Sequence, residues 1–217
     1  PHHRTHTTTT GVASVLLALW SATAGTKALM TALNIAYGEE ERRGYLRYYG
    51  TAILLTLGAI AFALLALALV AVLPALLAWL PVPQGVRTAL GLVRWVILAG
   101  AFVFGLAVVY RFAPDRKQPQ WRWVTWGAAA ATVLWLLGSA LFSLYVANFG
   151  DYNKTYGALA AIVILLTWIY LTTFVVLLGA ELNAETEHQT RVDSTVGASR
   201  PMGRRGARVA DTLGETR

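Results

Sequence analysis

The sequence predicts an all-α protein, a polytopic bundle of transmembrane helices. Three observations point there. Of the 217 residues, 56% are hydrophobic and only 13% charged, against roughly 25% charged in soluble domains. Long stretches carry no charge: none of Lys, Arg, Asp or Glu occurs between Arg47 and Arg87, between Arg122 and Asp151, or between Lys154 and Glu181. Finally, connections rich and poor in Lys and Arg alternate along the chain.

About 20 mostly apolar residues suffice to cross the hydrocarbon core, and five segments qualify, at about 11–34, 51–80, 89–112, 124–148 and 156–182. In the first, Gly11–Gly25 is apolar, Lys27 interrupts, and Ala28–Tyr37 continues with a mixed face. It is either a span with a polar end or a segment partly buried among its neighbours. The second holds Pro74 late in its run, which either kinks the helix or marks its exit. Arg94 and Arg111 sit near the two ends of the third, where long side chains can snorkel to the interface. The fourth and fifth are free of charge through their apolar runs. Helices buried in a soluble core would need polar helices around them, and this sequence offers none.

Positive charge gathers in cytoplasmic loops. The first connection holds Arg42, Arg43 and Arg47; the third holds Arg111, Arg116, Lys117 and Arg122. The tail holds Arg191, Arg200, Arg204, Arg205, Arg208 and Arg217. Between them, the second connection has Arg87 and the fourth, Gly150–Thr155, only Lys154. The first and third connections and the C-terminal tail are therefore expected on the cytoplasmic side of the membrane. Residues 1–10 are then an external loop, and the expected account of the start is a chain lacking an earlier span.

His2, His3 and His6 lie in a Thr-rich stretch with no carboxylate nearby, which reads as a flexible loop rather than a metal site. No cysteine is present, which excludes disulfides and thiolate ligands. No cofactor, metal or catalytic residue is expected. The tail, 189–217, is basic, poor in aromatics and expected to be disordered. It would attract anionic lipid heads loosely and bind no nucleic acid specifically.

Small residues mark several spans: Gly127–Ala131, Gly100 with Gly105, and Gly157 with Ala161. They suit close helix packing in lipid, within the chain or in a homo-oligomer. Between the last two spans runs Asn148-Phe149-Gly150-Asp151-Tyr152-Asn153-Lys154-Thr155-Tyr156-Gly157, either an exposed turn or a small polar funnel at the external mouth. The last span closes on Gly179-Ala180-Glu181-Leu182-Asn183-Ala184-Glu185. Glu181 and Glu185 share a helix face, and acids at a helix C-terminus oppose its dipole. Arg42, Arg43, Arg116 and Lys117 are the expected partners if the acids form an ion-pair clamp. A gate or proton-coupled site is the other reading.

These last two motifs, with Trp20-Ser21-Ala22, Ala32-Leu33-Asn34 and Val109-Tyr110-Arg111-Phe112-Ala113-Pro114, resemble the YihY/virulence factor BrkB family over about residues 12–188. The resemblance implies a six-helix bacterial inner-membrane protein with both ends cytoplasmic, its first helix absent from this sequence. It also implies movement of an envelope-related or amphiphilic solute.

Three classes of function follow. A transporter or exporter would use Asp151, Asn153, Lys154, Tyr156, Glu181, Asn183 and Glu185 as pathway or gate residues. A structural or assembly partner would use the small-residue faces. A nuclease, after the ribonuclease BN label once attached to that family, would need clustered carboxylates or histidines. The acids are scattered instead, and the run Glu39–Glu41 adjoins Arg42 and Arg43.

Overall fold

The computed structural model describes residues 3–148 and 158–214, and among these it is helical with no strand. The helices are α1 (His3–Ala36), α2 (Tyr45–Leu67), α3 (Leu73–Trp79), α4 (Gln84–Phe112), α5 (Trp121–Asn148), α6 (Ala158–His188) and the short α7 (Arg208–Asp211). A π-helical turn, Ala68–Val72, joins α2 to α3 without a break.

Five stretches are long and apolar enough to cross a membrane: Ser14–Ala36, Tyr45–Trp79, Gln84–Phe112, Trp121–Ala147 and Leu159–His188. Buried Thr hydroxyls turn back onto carbonyls one turn earlier, as Thr56 does on Ala52 (2.8 Å) and Thr132 on Ala128 (2.7 Å). Such groups find no water in lipid and must be satisfied within the protein.

Pro74 does not end the second span, which runs unbroken from Tyr45 to Trp79. Proline removes a backbone donor and crowds the carbonyl four residues before it. The π turn directly ahead widens the helix at that place, and α3 then runs on to Trp79. Tyr45–Trp79 comprises 35 residues, about 52 Å at 1.5 Å per residue. That exceeds the hydrocarbon thickness and requires tilt or protrusion.

The start of the chain differs from the sequence-based expectation of a loop over 1–10: backbone from His3 onward is already helical. The end of α1 is a glycine-dependent stop. Gly38 takes φ +63, its N–H reaches Ile35 O (2.9 Å), and Glu39 N–H reaches Asn34 O (2.8 Å). These two bonds make a Schellman turn, which needs a left-handed residue at that position.

The helices pack in a ring, α1 against α2, α2 against α4, α4 against α5, α5 against α6, and α6 back against α1. The closest approach is between antiparallel α5 and α6. A methyl on Gly127 would overlap the carbonyl oxygen of Gly179, and one on Gly179 would stand 2.5 Å from the Tyr110 hydroxyl and 2.7 Å from Ala131 Cβ. The expected small-residue packing is thus found at Gly127–Ala131, whereas Gly100 and Gly105 face open space.

Burial is lopsided. Met30, Leu33, Tyr37, Ala52, Leu106, Tyr110, Ala113, Val124, Ala128, Ala180 and Ala184 form the core. All lie in, or just beyond, the half of a helix nearest the first and third connections. Toward the other end, Leu64, Leu92, Val96, Leu137, Leu141 and Leu166 are exposed, as lipid-facing side chains are.

Candidate functional site

The buried half of the ring ends in a polar layer. Asn183 stands at its centre, 1% exposed. Its amide donates to Val124 O (3.2 Å), and its Oδ1 accepts from Gly127 N–H (2.8 Å), which pins α6 to the first turns of α5. Tyr110 reaches across from α4 and donates to Val176 O (2.7 Å). Only because Gly179 lacks a side chain can that hydroxyl come so near the α6 backbone.

Above Asn183 lies an ion pair with no exposed side-chain surface on either partner: Arg116 Nη2 to Glu187 Oε2, 2.5 Å. Ser194 Oγ donates to the same carboxylate oxygen (2.8 Å). The guanidinium of Arg116 also covers the ring of Tyr37, 4.9 Å from its centroid. Burial pushes the Tyr37 phenol well above its ordinary pKa, so it stays neutral.

A second cluster ties the first and third connections together. Arg43 meets Glu41 in a fork, Nε to Oε1 at 2.7 Å and Nη2 to Oε2 at 2.6 Å, the strong bidentate arrangement. That hydrogen bonding holds the Glu41 carboxyl below the usual range. The same guanidinium caps α4 by donating to Ala113 O (2.8 Å). Asn34 bridges the two connections, donating to Glu41 (3.1 Å) and accepting from Asp115 N–H (2.7 Å).

Residues after Gln189 correct the expectation of a disordered tail. Through residue 214 they fold back across this end. Val196 N–H donates to Gln118 O (2.9 Å), Gln120 N–H to Ser194 O (2.8 Å), and Lys117 N–H to Gly206 O (2.8 Å). Arg205 gathers carbonyls, donating to Arg191 O (2.7 Å) and Ala210 O (2.8 Å), among others. Asp193 accepts from Arg200 N–H, Thr195 N–H and the Thr195 hydroxyl, at 2.8 to 2.9 Å. Burial works against its ionisation, but these bonds and Arg205 outweigh it and hold the carboxyl below its ordinary range. The composition is that of a disordered segment. The side chains, however, satisfy the tail's own backbone, which removes the main cost of burying it.

Of the sequence-predicted site residues, Asp151, Asn153, Lys154 and Tyr156 lie outside the described residues. Asn183 is central. Glu181 and Glu185 are exposed on the outer face of α6, and neither forms an ion pair among the described residues. The expected clamp is therefore corrected: Arg116 pairs with Glu187, Arg43 with Glu41 and Asp115, and Arg42 with Glu40. Sequence reasoning missed Glu187. The available signal was its spacing, four residues after Asn183 and eight after Gly179, on the small-residue face rather than the Glu181–Glu185 face. Among the described residues no group of three or more His, Cys, Asp or Glu is placed to hold a metal ion.

Apolar spans, a helical ring and a polar layer at one end define a polytopic α-helical membrane protein. The family model for virulence factor BrkB matches residues 2–202, and the chain belongs to that family. It is similar to the ribonuclease-like protein YfkH of Bacillus subtilis, 34% identical over 78% of this chain and 63% of that protein. It is also similar to UPF0761 membrane proteins of Idiomarina loihiensis and Vibrio parahaemolyticus, each 42% identical over 44% of this chain and about a third of theirs (33% and 31%). The chain thus spans less than two thirds of the curated relatives it matches. No solved structure matches it.

Proposed function

We propose that the chain is the membrane body of a transporter or exporter of an envelope-related solute, in a bacterial inner membrane with the basic end cytoplasmic. The observation that carries this reading is the polar plug in the helical ring. Tyr37, Tyr110, Asn183 and the Arg116–Glu187 pair close the centre of the ring at one end, while burial is sparse at the other among the described residues. A rigid scaffold protein would gain as much from apolar residues there, since buried ion pairs are weak contributors to stability. A gate, in contrast, needs bonds that can exchange for others. The positive-inside rule supports the orientation, because the first connection, third connection and tail meet at one end.

The test is a flux screen with the chain in sealed vesicles and a panel of labelled anionic envelope precursors. Protein-dependent release of at least one, changed by Asn183→Ala, is expected. Folded protein that releases none overturns the proposal.

Assembly with another membrane protein or a second copy is the other reading. It is favoured by Gly58, Gly91, Gly100 and Gly138, above which no side chain packs. The name of YfkH raises a nuclease, which would need carboxylates free to hold ions roughly 4 Å apart. Here Glu41, Asp115 and Glu187 are instead engaged by guanidinium groups.

A further inference from the structure

A cavity of about 310 Å³ opens between the start of α2 and the end of α4. Its lining has two characters. Four arginines, Arg43, Arg47, Arg111 and Arg116, line it together with a single acid, Asp115. Leu54, Leu55 and Val108 continue the wall along the spans.

Two of the four cations are already committed, Arg43 to Glu41 and Asp115, and Arg116 to Glu187. Arg111 is different. It is 9% exposed, yet its Nε and Nη1 are buried without a hydrogen-bond partner. It takes no ion pair among the described residues. Its compensation is the ring of Trp121, 4.4 Å from the guanidinium carbon, with the ring of Phe112 at 5.5 Å and the carbonyl end of α4. Donors buried without acceptors are rare and costly. Arg47, across the cavity, is exposed and has no ion pair among the described residues. An anion seated between Arg47 and Arg111 would satisfy both.

The depth of the cavity identifies the source of that anion. Arg47 lies in the first turn of α2 and Arg111 in the last turn of α4, the level at which spans meet lipid headgroups. The wall then passes into exposed leucine, with Leu54 71% exposed. A small aqueous anion would leave that wall in water, whereas an acyl chain covers it. We infer that this cavity binds the phosphate of an anionic phospholipid, held by Arg47 and Arg111, with an acyl chain along Leu54, Leu55 and Val108. The site does not depend on whether the chain transports anything.

The experiment titrates the purified 217-residue chain in neutral detergent with phosphatidylglycerol, phosphatidylcholine or inorganic phosphate, reading bound lipid by native mass spectrometry. Phosphatidylglycerol should be retained at one per chain, in preference to phosphatidylcholine. Arg47→Gln should weaken retention roughly fivefold, as expected for one basic residue facing an anionic headgroup. Arg111→Gln should weaken it at least as much, and Arg111→Lys should restore part of it. Arg204→Gln, in the exposed tail, should change nothing. Arg47 is exposed, so its variant remains informative even if a change at Arg111 impairs folding. Equal retention of the two lipids, retention unchanged in Arg47→Gln, or displacement by inorganic phosphate as effective as by phosphatidylglycerol would each overturn the assignment.

Discussion

Arg116 and Glu187 meet at 2.5 Å with no exposed surface on either side chain, and this contact joins the third connection to the last turn of α6. Each partner retains one unpaired polar atom, Nη1 of Arg116 and Oε1 of Glu187. The pair is therefore incompletely satisfied, and a change at either member should be felt strongly.

Glu187→Leu leaves the Arg116 charge buried without its partner, and thermal unfolding in detergent should show a loss of about 3–5 kcal/mol. Replacing both, with Arg116→Met and Glu187→Leu, should recover most of that loss. A single variant as stable as the parent would mean the pair is open to water.

The α5–α6 contact makes a sharper steric prediction. Gly179→Ala drives a methyl into Tyr110 and Ala131, and overpacking of this kind costs about 1–3 kcal/mol. Gly100→Ala meets nothing and should be neutral. The comparison can be read from melting temperatures of the two variants side by side.

Docking of the tail should depend on acid pH. Asp193 and Asp211 are held below their ordinary value of 3.8, because backbone N–H groups bond the ionised forms strongly enough to outweigh burial. A depressed pKa gives stability that is present above the unfolded value and is lost as pH falls through the folded one. Amide exchange in 191–211, corrected for intrinsic rate, should be slow at pH 6 and accelerate only below about 3.8. Asp193→Asn should release the same segment at neutral pH. Glu39 has the opposite sign. Burial raises its carboxyl despite the N–H of Arg208 that it accepts, so its contribution weakens as pH rises through its folded pKa.

Orientation can be tested with single cysteines, since none is present. Gln84 and Gln118 are both exposed, in the second and third connections. An impermeant thiol reagent applied outside intact cells should label Gln84→Cys and leave Gln118→Cys unlabelled. The reverse pattern would invert the map.

The spans, and which connections share an end, are legible in the residues alone. Desolvation fixes the three charge-free spans, since such runs of 25 residues or more have few stable environments besides lipid, and the clustering of Lys and Arg fixes the shared end. The hairpin that the sequence leads one to expect after Asn148, at 149–157, lies outside the described residues. Which acid the arginines meet depends on how the helices pack. Glu181, Glu185 and Glu187 are equally visible in the sequence, but the face that turns inward is set by Gly127 against Gly179, which brings Asn183 and Glu187 to the centre. Tertiary contacts likewise set the fate of the tail. Composition reports how much apolar surface a segment can bury, and Arg205 and Asp193 instead order this one by bonding its backbone. Such bonds depend on a three-dimensional match that residue frequencies do not carry.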